Sequence, residues 1–416
     1  MTKAEAAAAG AKCASCPLRD QPYVPPVNPG ALQEFRGDRP STGTSHLGTN
    51  GTKILHRLNR VAGLTASEWK LDSVIACWPG FEPEESAIKQ AEACCSPRLR
   101  LPKALVAMDD TALRSIGVNL TVDATAGIPL PSGAAPVPTF PVCHPSGALP
   151  QREPGLIRLL DVYWERIAEW AAPRHGLADV AARGFRYTLK LWDLPHVVTN
   201  LVDGEAACAL TLAALAVEAS RGEGRLIGWD IEGAMIADKR PIEWETKGAT
   251  LLDVGLANGD RANPLAVCVS WASASLQLRQ AVEDFLRNPA HRLVPHNGKH
   301  DTRVIDRAMG FRPPGYMADT MELMRMLFPG VPKDLGTTLS MLTRFPRHKD
   351  AFKATQSEMD TEAQQRGDRF ANADPQTRAV YCGHDAFGTA YAARRLLPLL
   401  GPAGPVAMAE PAEGAN

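Results

Sequence analysis

The chain has 416 residues, enough for two domains with separate cores, and its 45% apolar and 22% charged content is that of a globular protein. A formal net charge of −1 excludes attraction to nucleic acid through bulk charge, so any such contact must come from local basic patches. The absence of a run of about 20 apolar residues excludes a membrane-spanning helix. Nine cysteines without a secretory signal point to a reducing, cytoplasmic setting in which some of them are metal ligands.

The opening MTKAEAAAAGAK reads as a frayed leader. Cys13-Ala-Ser-Cys16 follows, and much further on come Cys77-Trp-Pro-Gly and the pair Cys94-Cys95. Two close thiolates and two distant ones can make a four-sulfur site for zinc or for an iron–sulfur cluster alike. Beyond them lie a central strand in Pro102-Lys-Ala-Leu-Val-Ala-Met, a helix from Thr111-Ala-Leu, the motif Cys143-His-Pro-Ser146 and an amphipathic helix over 156–170. The polar stretch Ala172-Pro-Arg-His-Gly then reads as a linker. The expected division is a first domain over 1–172, a linker and lead-in over 173–194, a second domain over 195–400 and a disordered tail over 401–416. Strand and helix signals alternate in both halves, which predicts an α/β protein.

The cysteine spacing and the His-Pro-Ser motif resemble the iron–sulfur uracil-DNA glycosylases of family four. The resemblance covers about residues 11–170 and implies a three-layer α/β/α domain with a structural 4Fe-4S cluster on Cys13, Cys16, Cys77 and Cys94. Cys95 competes as fourth ligand, and zinc is the alternative cofactor. The pocket departs from the family's pattern. Val27 stands where the family has a water-positioning acid, Ser41 where a ring stacks on the flipped base, and Ser73 where an Asn reads uracil. Losing the stacking ring alone removes about 1–3 kcal/mol. His144 remains as a supporting catalytic group, with Gln33 and Glu34 near enough in sequence to substitute for the acid. Uracil excision is therefore expected to be absent or very weak, leaving a module that binds DNA through such residues as Lys53, Arg57, Arg60, Arg98 and Arg100.

The second half opens with a short strand near 195–199, an Ala/Leu helix over about 205–219 and a buried strand, Arg225-Leu-Ile-Gly-Trp-Asp-Ile-Glu. Asp230 and Glu232 are two apart on that strand and share a face. Asp301, in His296-Asn-Gly-Lys-His-Asp, follows an apolar strand and begins a helix. Tyr381 and Asp385 are four apart in a segment with helical character up to Leu400, and so share a helix face. Four carboxylates from separate elements are what hard divalent cations require, and hydrolysis of a phosphodiester needs two such ions about 3.5–4 Å apart.

These motifs, in this order, resemble the DnaQ-like proofreading exonucleases whose last motif is Tyr-x-x-x-Asp. Ala318-Asp-Thr-Met-Glu-Leu and Phe328-Pro-Gly-Val-Pro-Lys-Asp-Leu extend the likeness to the exonuclease domains of phage family A DNA polymerases. The resemblance implies a ribonuclease H-like domain with a mixed sheet. Asp230, Glu232 and Asp385 would hold one Mg²⁺ or Mn²⁺, Asp230 would bridge to a second, and Asp301 would act through that ion's hydration shell. Tyr381 would orient or help deprotonate the attacking water, with Asn297 and Asp319 supporting. The expected function is 3′→5′ hydrolysis of DNA, proofreading for a polymerase on another polypeptide, since no length remains for a polymerase after residue 400. The alternatives are a repair enzyme that combines base excision with strand trimming, or a non-catalytic DNA-binding replication subunit. No membrane partner is expected, and the location is cytoplasmic, the host's if the chain is phage-encoded.

Overall fold

The structure is a computed structural model that describes residues 2–27, 33–37, 39–40, 46–61, 69–80, 84–99, 101–102, 104–120, 122–130, 134–145, 156–171, 193–221, 225–235, 249–345 and 374–401. The chain divides into two units, Met1–Lys190 and Leu191–Asn416, each with its own sheet. The linker residues 172–176 and the tail beyond 401 lie outside the described residues.

The first unit runs α1 (Lys3–Ala8), β1 (Gln33–Gly37), α2 (Gly48–Val61), β2 (Trp69–Ser73), α3 (Glu85–Cys95), β3 (Ala104–Ala107), α4 (Asp110–Arg114), α5 (Val122–Thr125), β4 (Thr139–Pro141) and α6 (Leu156–Ala171). The leader expected to fray is instead the helix α1. Thr2 and Glu5 form a reciprocal capping box, which satisfies two of the amides that a helix start leaves bare, and Ala6 is buried. The four strands are all parallel in the order β2-β1-β3-β4. Every residue of β3 and β4 is buried although successive side chains point to opposite faces, so both faces of the sheet are covered, as in α/β/α layering. On one face Phe35 stacks on Trp164 of α6 and meets the edge of Trp69.

Charge fills other buried positions of β1 and β2. Glu34 lies in register with Lys70, and Arg36 with Asp72. Glu34 accepts from Arg36 at 2.6 Å and from Lys70 at 2.9 Å, while Arg98 donates to both oxygens of Asp72 at 3.2 Å. Burial pushes the Asp72 carboxyl up, but Arg98 and Lys70 overcome it and hold the group at about 2. Two expectations are corrected here. Arg98 is buried in this pair and cannot meet a phosphate backbone, and Glu34 is committed to two cations and cannot replace a water-positioning acid. Lys53, Arg57 and Arg60 are exposed on α2, and Arg57 pairs with Asp161 at 3.2 Å; Arg100 lies outside the described residues.

The second unit runs β5 (Val198–Thr199), α7 (Glu205–Ser220), β6 (Leu226–Met235), β7 (Ala249–Ala257), β8 (Ala266–Ser270), α8 (Leu276–Arg287), β9 (Arg292–Val294), α9 (Gly298–Met309), α10 (Thr320–Leu327), α11 (Leu335–Leu342) and α12 (Pro375–Leu396). Its sheet has the order β5-β8-β7-β6-β9. Strands β6, β7 and β8 are antiparallel neighbours, whereas β9 runs parallel to β6 and β5 to β8. This is the mixed, ribonuclease H-like arrangement expected. Strand alternation splits β6 between two cores. Ile227, Trp229 and Ile231 pack with Leu212, Val282 and Ile305 from α7, α8 and α9, while the even-numbered face is left to α12. Among the described residues, no helix is long and apolar enough to cross a membrane.

Candidate active site

Helix α12 can reach the sheet closely because glycine stands beneath it at two positions, Gly228 and Gly255. A Cβ on Gly228 would stand 1.9 Å from the carbonyl oxygen of Ala386, and one on Gly255 would stand 2.8 Å from that of Cys382. The helix answers with Cys382, Ala386 and Ala390, and the Cys382 thiol lies 3.4 Å from the carbonyl oxygen of Asp230. Glycine is required here for close approach of two backbones. Asp230 and Glu232 continue the Gly228 face of β6, so they project toward the helix that carries Tyr381 and Asp385. The β6–β7 register shifts between Glu232 and Gly233, an irregularity of the β-bulge kind that can re-aim a side chain.

Glu232, Asp301 and Asp385 are buried, and Asp230 and Tyr381 half-buried. Tyr381 hydrogen-bonds Asp385; burial first, then the charges of Asp385, Glu232 and Asp230, hold its hydroxyl well above the usual tyrosine range. Burial and the negative field of Asp230, Asp319 and Asp385 likewise raise the Asp301 carboxyl far above the ordinary carboxylate range. Its Oδ2 is buried without a hydrogen-bond partner. A bare carboxylate oxygen among like charges fits a cation as its missing partner.

Asn297 and Asp319 sit beside this cluster, joined through the Asn297 amide. Asn297 has left-handed backbone, φ 63°, at the start of α9, and its side chain is exposed. Asp319 accepts from the Asn297, Gly298 and Met321 amides at 3.0, 2.8 and 2.8 Å and from the Tyr316 hydroxyl at 3.1 Å. Its acceptor capacity is thus spent on tying α9 to α10, which fixes Asp301. The sequence reading missed Tyr316, and it missed the buried Asp253, to which Arg378 of α12 donates and Ser270 donates at 2.5 Å. The available signal was an acid inside the apolar run Leu251-Leu-Asp-Val-Gly-Leu of β7.

In the first unit, five thiols gather where the turn at Cys13–Ser15 meets the end of α3. Cys16, Cys77, Cys94 and Cys95 are buried and share one apolar cluster, while Cys13 is half-exposed. The Lys12 amide donates to the Cys94 carbonyl at 2.8 Å, and Tyr23 bridges to Cys77. Burial, then the neighbouring thiols, pushes the Cys16 thiol up to about 11; Cys77 and Cys95 are raised chiefly by burial too. An all-sulfur donor set fits zinc or an iron–sulfur cluster, and its loading must release protons. Among the described residues, no three His, Cys, Asp or Glu side chains already stand in ion-holding geometry, at the thiols or at the carboxylates. The fit of both sets rests on donor chemistry and shared position.

The His144 ring lies after β4, half-buried, and its Nε2 and the Asp109 Oδ2 each come within 3.5 Å of where a Gly37 Cβ would be. Val27 pairs its backbone with Leu71 at 2.9 and 3.1 Å, and the Ser73 hydroxyl pairs with His46 at 2.8 Å. Ser41 and the Gln33 side chain lie outside the described residues.

No family model matches the chain, and no curated protein matches it. Solved structures with some likeness include the catalytic core of RRP6 from Trypanosoma brucei, at 14% identity and a TM-score of 0.34, with 51% of this chain and 49% of that one covered. RNase D of Escherichia coli, an exoribonuclease involved in structured RNA processing, gives 15%, 0.32, and 50% against 44%. The EXO domain of Aedes aegypti Nibbler gives 12%, 0.30, and 51% against 92%. The chain thus spans about half the length of the first and less than half of the second. At these values the likenesses carry no argument about substrate or mechanism.

Proposed function

We propose that the second unit is a two-metal-ion exonuclease that hydrolyses single-stranded nucleic acid from its 3′ end. One juxtaposition supports this reading. The glycine-seated α12 brings Tyr381 and Asp385 to the face of β6 that carries Asp230 and Glu232, beside the unpartnered oxygen of Asp301. Asp230, Glu232, Asp301 and Asp385 are the residues that would hold Mg²⁺ or Mn²⁺. Such ions, when bound, supply an activated water and stabilise the leaving oxygen. Tyr381 hydrogen-bonds Asp385 beside these carboxylates. From that position it would orient the attacking water or help to deprotonate it. Asp385 fixes that hydroxyl as its acceptor. The role of the scaffold is to keep these groups in place before the substrate arrives.

DNA as substrate, and proofreading for a separate polymerase, rest on the order of motifs that resembles phage polymerase exonuclease domains. For the first unit, the gathered thiols support a structural 4Fe-4S cluster on Cys13, Cys16 and Cys77 with Cys94 or Cys95, zinc being the alternative. That unit is read as a DNA-binding module with base excision absent or very weak.

Digestion of 5′-labelled single-stranded DNA and RNA in Mg²⁺ or Mn²⁺ tests the reading. The expected result is stepwise shortening of DNA from the 3′ end, abolished by EDTA and lowered at least ~10³-fold in Asp230→Ala, a loss of several kcal/mol of transition-state stabilisation. Shortening of RNA with DNA spared would reassign the substrate. Neither strand shortened would overturn the reading.

A further inference from the structure

Glu232 and Asp253 stand directly opposite one another on β6 and β7, and Asp253 stands directly opposite Ser270 on β8. Directly opposed strand residues share a face of the sheet, so all three look toward α12, with Cβ atoms of neighbours about 4.5–5.5 Å apart. Two like charges opposite each other in a buried place are unfavourable. Asp253 is fully buried, and the protein supplies it with two donors: the Ser270 hydroxyl at 2.5 Å and the Arg378 guanidinium from α12. Ser270 is held in turn, since its amide donates to Asn200 at 2.8 Å and Asn200 donates to its carbonyl at 3.1 Å.

Arg378, Tyr381 and Asp385 lie three and four residues apart on α12 and form one stripe of that helix. An ion pair at the head of the stripe therefore sets both the roll and the axial position of α12 over β6. We propose that Arg378 and Asp253 form a positioning pair for the candidate nuclease site, an inference that rests on the nuclease reading. Arg378 docks the helix so that Tyr381 and Asp385 face Asp230 and Glu232. Its charge offsets that of Asp253, the acid opposite Glu232 in the ladder. Neither residue touches the substrate.

Removing one partner alone would strand a buried charge and endanger the fold. The test is therefore the double variant Arg378→Met with Asp253→Asn in the full chain, since an amide oxygen at 253 still accepts from Ser270. Arg378→Lys serves as the conservative comparison. Circular dichroism and melting report the fold, digestion of a 5′-labelled oligonucleotide gives kcat and KM, and electron paramagnetic resonance gives Mn²⁺ affinity without turnover. The expected double variant is folded, with kcat lowered about 10²-fold, KM little changed and Mn²⁺ bound about 10-fold or more weakly. Arg378→Lys should recover most of that loss. A folded double variant with the wild-type kcat and Mn²⁺ affinity would overturn the inference alone. A wild type that neither digests the strand nor binds Mn²⁺ would overturn the nuclease reading and this inference with it.

Discussion

At the residue scale, His46 sets a pH limit on the first unit. Its Nε2–H donates to the Pro25 carbonyl at 3.0 Å, which leaves Nδ1 to accept from the Ser73 hydroxyl at 2.8 Å. Burial disfavours the imidazolium and lowers its pKa below the ordinary 6.5, against the pull of Asp72. A depressed histidine contributes stability that is present above 6.5 and is lost as pH falls through the folded value. Urea midpoints of the first unit should therefore be flat from pH 8 to about 6.5 and then fall, at up to about 1.4 kcal/mol per pH unit. His46→Gln should flatten the slope, and an unchanged slope in that variant would assign it elsewhere. The acids of the second unit were legible as single residues because their order along the chain resembles that of a known exonuclease family. Arg378 and Asp253 were not, because a buried ion pair leaves no spacing signature: its partners are 125 positions apart.

At the scale of elements, the contact between β6 and α12 decides whether the candidate site exists. Sequence alternation placed Asp230 and Glu232 on one face of a strand, and helical spacing placed Tyr381 and Asp385 on one face of a helix. Neither pattern says that those faces meet. The meeting depends on Gly228 and Gly255, where a methyl group would strike the backbone of α12. Gly228→Ala should destabilise the second unit by about 1–3 kcal/mol or more through overpacking and lower nuclease activity by more than that loss of folded protein explains. Thermal melting beside single-turnover digestion separates the two effects. A variant of normal stability and activity would mean that α12 is not seated through this glycine. Helix α1 is the converse case. Its Thr2-Lys-Ala-Glu5 capping box was present in the sequence, and reading the segment by its terminal position obscured that local signal.

At the scale of the whole molecule, each unit carries its own core and its own set of candidate ligand atoms, hard oxygens in one and soft sulfurs in the other. Calorimetry of the full chain should resolve two transitions. Saturating Mn²⁺ should raise one of them, by about 2.7 kcal/mol at a hundred times the dissociation constant, and Asp230→Ala should abolish that shift. Chelation or oxidation at the thiols should lower the other, and Cys13→Ser with Cys16→Ser should remove iron, sulfide and any absorbance near 400 nm together. A single transition that responds to neither treatment would refute the separation. By itself the sequence determined the alternation of strands and helices and the chemistry on offer, four carboxylates with a tyrosine and a set of thiols, because periodicity and side-chain type are local properties. Only the tertiary structure decided that five cysteines share one corner, that Arg98 and Glu34 are consumed by internal ion pairs, and that α12 lies on a glycine pad with Arg378 at its head. Those outcomes depend on which distant surfaces exclude water from each other, and no local pattern of residues encodes that choice.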